Sequence, residues 1–363
     1  MKLSGNQLLW IMFCFQIHYA LTPALIHGRQ DAWLVSLLAG VVTMACTILI
    51  TRVSRLSPSH TLVGYSQLIL GRWFGKCAVV PFFLAWFLLL ASVLREWADY
   101  VYVNLLPTTP VWSVVVLMAL LIAYVTLKGG ITAIGRCSEV IGPIYILISF
   151  GPLLLMIGLM DWRYLQPVYV DSGWLNILKG ILPTSADTMG GAMMPLMLTA
   201  FMSSPIKASS RALWAMGLSS LWIVLASGAT VLIFGPYLSP LLTLPWVAGI
   251  RSISILDFIQ NIDAFAVFVY AFTHFVALST SLFVTSYGIA EWLNVKEWKR
   301  IAVVVLLLAS MLVILTSNIG LLTNVYRQYI WVKWIFPLNI VGIPLMLWVV
   351  RSYRRWYRLR RFA

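Results

Sequence analysis

The chain alternates long apolar runs with short polar breaks, and the runs fall at about 6–27, 31–51, 75–103, 111–128, 137–160, 183–202, 208–234, 257–290, 300–318 and 332–351. A helix rising 1.5 Å per residue needs about 20 apolar residues to cross about 30 Å of hydrocarbon. The pattern therefore predicts a bundle of about ten transmembrane helices. Short connections make consecutive helices antiparallel neighbours. The runs 75–103 and 257–290 are longer than the bilayer needs, which strong tilt accommodates. Two outer connections stand apart. Residues 161–182 end in a helical stripe of Trp174, Leu175, Ile177, Leu178 and Ile181, an interfacial helix leading into the sixth span. Residues 235–256 are apolar but punctuated by Pro236, Pro240, Pro245 and Gly249. They predict either a lid-like re-entrant hairpin, which protein must cover, or a loop lying on the surface.

Two of the runs interrupt themselves near their middles. The first carries Gln16, His18, Tyr19, Thr22 and Pro23 where a lipid-facing helix is apolar, and Pro23 cannot donate to the helical ladder. The sixth reads PTSADTMGGAMMP, with one carboxylate and two adjacent glycines. The breaks lie five helices apart. Their placement predicts an all-α integral membrane fold of a five-plus-five inverted repeat with discontinuous helices 1 and 6. The first repeat covers about 6–160 and the second about 183–351 of a single transmembrane domain, 1–363, with a basic tail at 352–363.

In such a fold the half-helix N-termini of helices 1 and 6 meet mid-bilayer and offer N–H donors and dipole ends to an anionic group. Asp187, at the end of the outer half of helix 6, supplies the opposite charge. A zwitterion, hence an amino acid, suits that pairing. Placing Asp187 near the bilayer centre costs about 2.5–3.5 kcal/mol, so it must face a polar interior. Ligand contact and capping of a half-helix starting near Met189 both fit it. The candidate ligand-binding residues are Gln16, His18, Tyr19 and Thr22 in helix 1, Asp187, Thr188, Gly190 and Gly191 in helix 6, and Thr273 and His274 in helix 8. A membrane histidine is also a common hydrogen-bonded packing residue, which stands as the alternative for His274. Ser279, Thr280 and Ser281 add hydroxyls, but no carboxylate accompanies them, and no metal is assigned. Arg95 and Asp99, four apart on one helical face, are expected to pair.

Composition agrees with the hydropathy. The chain is 61% hydrophobic and 10% charged, with mean hydropathy +0.92, against about 25% charged in soluble domains. Its net charge of +14 is unevenly placed. With the N-terminus cytoplasmic, the inner side collects Lys2, Arg52, Arg55, Arg72, Lys76 and most of the remaining cations, including six arginines of the tail. The outer side receives only Arg29, Arg163, Lys179, Arg251, Arg327 and Lys333. This bias predicts that both termini are cytoplasmic, and with the cations scattered over separate short loops it ranks nucleic acid a distant third as the reason for the charge. The tail RSYRRWYRLRRF has the composition of a segment lying on anionic lipids, or of a plain topology anchor. The four cysteines show no paired spacing and read as reduced packing residues. The four histidines show no metal spacing, and neither a phosphate loop nor a nucleophile elbow is present. No enzymatic activity and no cofactor are expected.

The stretches HGRQDAWLVSLLAG, LVGYSQLILGRWFGK, VYVNLLPTTP and NILKGILPTSADTMGGAMMPLM, in this order, resemble the B subunit of GerA-type spore germination receptors. That family is amino-acid-permease-like and belongs to the amino acid–polyamine–organocation superfamily. The resemblance runs from about residue 3 to the tail. It implies a ten-helix protein of the spore inner membrane, its termini on the spore-core side, that assembles with A and C subunits and binds a nutrient germinant in a transporter-like pocket. In family terms, Ile17 to Leu21 and Asp187 to Gly191 match the unwound centres of helices 1 and 6. Where many relatives carry an acidic residue after the glycine matching Gly190, this chain has Gly191, and Asp187 is one turn earlier. An ordinary permease working by alternating access is the alternative function. A structural or ion-conducting component without a ligand is a third.

Overall fold

Peptide groups in hydrocarbon find partners only inside a helix or a closed barrel, and the observed elements follow from that constraint. The structure, a computed structural model, describes residues 2–16, 21–170, 172–242, 244–253, 263–316 and 321–361. Among these, the regular elements are helical. In chain order they are α1 (Gly5–Gln16), α2 (Leu21–Gly28), α3 (Ala32–Ser54), α4 (Leu62–Leu70), α5 (Arg72–Asn104), α6 (Val111–Met156), α7 (Trp174–Thr188), α8 (Pro195–Leu198), α9 (Ala208–Leu238), α10 (Pro245–Arg251), α11 (Asp263–Leu293) and α12 (Trp298–Leu315). A wide π-helical segment, Leu321–Gly342, then runs into α13 (Ile343–Arg361). Among the described residues, six stretches are long and apolar enough to cross a membrane: Leu21–Ser54, Arg72–Asn104, Val111–Leu159, Pro205–Leu241, Trp298–Leu315 and Ile330–Arg354.

Three differences from the hydropathy reading have local causes. The runs 111–128 and 137–160 join without a loop into the 46 residues of α6. About 70 Å of helix is more than twice the hydrocarbon thickness, and Gly130, at φ 56° and ψ −154°, breaks its axis. The interfacial segment and the outer half of the sixth span are one helix, α7, which continues through Pro183. Prolines are tolerated in membrane helices because neighbours satisfy the freed backbone groups. After α9, the described residues 244–253 pack rather than lying loose. Val247, Gly249 and Ile250 of α10 are buried, and Ile250 and Ile253 form a small cluster with Met156 at the end of α6.

Most of the remaining buried apolar residues form one core that joins α1, α3, α5, α6, α7, α9, α11 and α12. Leucines, valines and tryptophans left on the outside, such as Leu117, Leu120, Leu147, Leu154 and Trp214, face where lipid lies. Inside, one buried charge is held by several partners. Arg95, 3% exposed, donates through Nε to both oxygens of Asp99 at 2.9 Å and through Nη1 to the carbonyls of Val313 and Thr316. The expected Arg95–Asp99 pair therefore forms, and it also caps the end of α12.

Candidate functional site

The sixth-helix break lies where the sequence places it. Helix α7 stops at Thr188, a turn covers Met189 and Gly190, a 3₁₀ turn spans Gly191–Met193, and α8 begins at Pro195. Its form is tighter than a fully unwound stretch. Met189 (φ −86°, ψ −5°), Gly190 (φ −53°, ψ −45°) and Met194 (φ −60°, ψ −38°) all keep right-handed dihedrals. The N–H groups of Met189, Ala192 and Met194 donate to the carbonyls of Ala186, Met189 and Gly191. The helix narrows instead of opening, so part of its donor set is already used. Asp187 is buried in the last turn of α7, while Gly190 and Met194 occupy the N-cap positions without a side-chain cap bond. Thr188 is 3% exposed. Its hydroxyl meets Thr43 Oγ1 of α3 at 2.7 Å and donates to the Ser185 carbonyl.

The walls of the break come from three other elements. A Cβ added at Gly190 would sit 3.0 Å from Phe15 Cε1 of α1 and 3.5 Å from Leu89 Cδ2 of α5. The indole of Trp331 donates to the Ala186 carbonyl at 2.7 Å. Helices 1 and 6 are also joined at both ends. At one end, Leu3 N–H donates to the Phe201 carbonyl at 2.7 Å, and Ser203 N–H returns to the Leu3 carbonyl at 2.9 Å. There Ser4 and Gln7 form a reciprocal capping box at the start of α1. At the other end, α2 and α7 meet at Gly180, where a Cβ would sit 2.8 Å from His27 Cβ. Residues 17–20, which include His18 and Tyr19, and the side chain of Gln16 lie outside the described residues. Thr22 is half-buried in the first turn of α2.

Thr273 and His274 are fully buried in α11. Thr273 Oγ1 and His274 Nδ1 both donate to the Tyr270 carbonyl, at 2.9 and 2.8 Å. The imidazole lies 4.2 Å from the Tyr270 ring and 5.7 Å from Trp97 of α5. This is the hydrogen-bonded packing environment set out above as the alternative to ligand contact. One to two turns further along, the hydroxyls of Ser279, Thr280 and Ser281 are buried without a hydrogen-bond partner among the described residues.

The sequence reading missed the polar spine of α3. Thr43, Thr47 and Thr51 are fully buried, each a turn apart, and link through the carbonyls of Thr43 and Thr47. Thr43 leads to Thr188 and Thr51 to Ser209. Spacing of four within an otherwise apolar span was the available signal. The motif residues prove to be anchors around the site. Gln30 Nε2 donates to the Pro167 carbonyl, and buried Asp31 accepts from Tyr169 N–H at 3.0 Å, so both hold the segment 161–170. Gly71, at φ 93°, makes the corner between α4 and α5, and Gly75 leaves room for the backbone of Gln67. Lys76 Nζ donates to the Trp292 carbonyl at the end of α11, and Thr61 donates to Glu291.

The family model described as spore germination protein matches residues 2–319. The chain is 30% identical over 175 residues to spore germination protein YndE of Bacillus subtilis, covering 48% of this chain and 47% of that protein, so this match spans about half of its length. It is 22% identical over 306 residues to spore germination protein KB of the same organism, covering 83% and 81%. Among solved structures it is similar to MhsT in complex with L-phenylalanine, with TM-score 0.70, 12% identity and coverage of 96% and 89%. It is also similar to Mhp1, a nucleobase-cation-symport-1 family transporter, with TM-score 0.65, 10% identity and coverage of 97% and 92%. These likenesses give the all-helical transporter fold. The chain belongs to the spore germination protein family of membrane permease-like proteins.

Proposed function

We propose that this protein is the nutrient-sensing membrane subunit of a spore germination receptor. It binds an amino acid or similar small nutrient between helices 1 (α1–α2), 3 (α5), 6 (α7–α8) and 8 (α11). Family membership supports the germination role. The observation that carries the ligand site is the interruption after Thr188, set against Phe15 and Leu89 in a transporter fold. The proposed contacts are Gln16, His18, Tyr19, Thr22, Asp187, Thr188, Gly190 and Gly191, with Thr273 and His274 at the α11 wall. The repeats are taken as about 6–160 and 183–351. Occupancy shifts helices 1 and 6 against α5 and α11, and the bias passes to A and C subunits. Both termini lie on the spore-core side of the inner membrane, as the uneven cations favour, and the arginine-rich end of α13 rests on anionic lipids.

The test is germination of spores whose only receptor contains this subunit, scored against single amino acids, sugars and nucleosides. A response to one nutrient class that pocket substitutions such as Gly190→Trp redirect or abolish supports the sensor. A nutrient response that survives them unchanged removes the site. The likeness to transporters favours one second reading, a permease with alternating access. Saturable uptake of that nutrient by the purified protein in liposomes, without partner subunits, would establish it.

A further inference from the structure

Away from the candidate site, α1, α3 and α9 leave an open groove of about 960 Å³ between them. Its wall is apolar, with Trp10 of α1, Met44 of α3, and Leu213, Leu218 and Leu221 of α9. One end turns polar through Arg55, Ser209 and Ser210. That end is held together by the Thr51–Ser209 hydroxyl pair at 3.1 Å, one turn from Arg55. From Ser209 to Leu221, α9 rises about 18 Å, a little more than the roughly 15 Å of one hydrocarbon leaflet. Arg55 is exposed, and no carboxylate lines the groove among the described residues. Lys207 and Arg211 lie beside Gly5 at the same end of α1, with Lys207 Cβ and Arg211 Cγ 3.7 and 3.2 Å from where a Gly5 Cβ would sit. An apolar trough one leaflet long, with cations and hydroxyls only at its headgroup end, matches a lipid in both shape and charge.

We propose that this groove holds an acyl chain of an anionic phospholipid, whose phosphate rests on Arg55 and the Ser209 and Ser210 hydroxyls. Among the described residues, none from α13 lines the groove. It sets the lipid against Trp10 on α1, the helix whose Phe15 abuts Gly190. Gly217 lines the groove, and a Cβ there meets only Met44 at ordinary contact, 3.7 Å from Cε. Gly217→Leu therefore sends its side chain into the trough, while Arg55→Gln removes the charge without touching the packed interior.

The experiment is native mass spectrometry of the full chain in detergent, titrated with phosphatidylglycerol and, separately, with phosphatidylcholine. The wild-type protein is expected to retain one phosphatidylglycerol above the phosphatidylcholine background. Arg55→Gln should weaken that retention about five-fold, the effect of one cation at a lipid surface. Gly217→Leu should lose it, and a variant lacking the tail arginines beyond Arg354 should keep it. Equal retention of the two lipids, retention untouched by Arg55→Gln, or loss only in the tail variant would each overturn the proposal. So would a groove that takes neither lipid while Gly217→Leu weakens co-purification of a second membrane subunit, which would assign it to a partner helix.

Discussion

Gly190→Ala adds one methyl at the point where helix 6 narrows. That carbon lies 3.0 Å from Phe15 Cε1 and 3.5 Å from Leu89 Cδ2. Carbon pairs are most favourable at about 3.5–4.0 Å, so the Phe15 contact is at least about half an ångström too close. Phe15 is 1% exposed, so relief requires the ring or α1 itself to shift within a packed interior. Overpacking of this kind costs about 1–3 kcal/mol. If that strain falls on one of two states of helices 1 and 6, the half-maximal nutrient concentration moves by about 5- to 150-fold. The assay is a germination dose–response in spores whose only receptor contains this subunit, with subunit abundance measured alongside. The expected result is a shifted midpoint at near-normal abundance, restored toward wild type by Phe15→Leu in the same chain. An unchanged midpoint and abundance would refute the reasoning, because a tight contact between helices 1 and 6 would then carry no coupling. A shift that Phe15→Leu leaves in place would refute the α1 route and assign the methyl to ligand space instead.

Asp187→Asn keeps the shape of the α7 end but removes its charge; the nutrient midpoint should move more than subunit abundance, and equal loss of both would return Asp187 to a structural role. Arg95→Met breaks a buried pair and uncaps α12, with an expected cost of about 3–5 kcal/mol, while Arg95→Met with Asp99→Leu should recover most of it because an apolar replacement of a buried pair is near neutral. Denaturation of the purified protein reads both variants, and a double variant as unstable as the single contradicts the clamp. A double-mutant cycle of Thr43→Val and Thr188→Val should give a coupling of about 0.6 kcal/mol, the usual size for a hydroxyl pair between membrane helices. A coupling indistinguishable from zero removes the α3–α7 link.

The all-helical membrane class, the site of the helix 6 break and the Arg95–Asp99 pair were legible because each is local. Apolar length, glycine–proline interruption and i,i+4 spacing all act within a few turns of one chain segment. The form of the break was not legible. PTSADTMGGAMMP reads equally as an open stretch or a narrowed helix, and contacts from Phe15, Leu89, Thr43 and Trp331, all remote in sequence, surround the narrowed one. The roles of Gln30 and Asp31 were hidden for the same reason, since their partners lie more than a hundred residues away in the outer segment. The sequence by itself thus determined that this is a helical membrane protein and where its sixth helix is interrupted, since the bilayer imposes those features on each segment separately. Only the tertiary structure decided which side chains face that interruption. It also decided which backbone donors there are already engaged, and which buried hydroxyls link one helix to another.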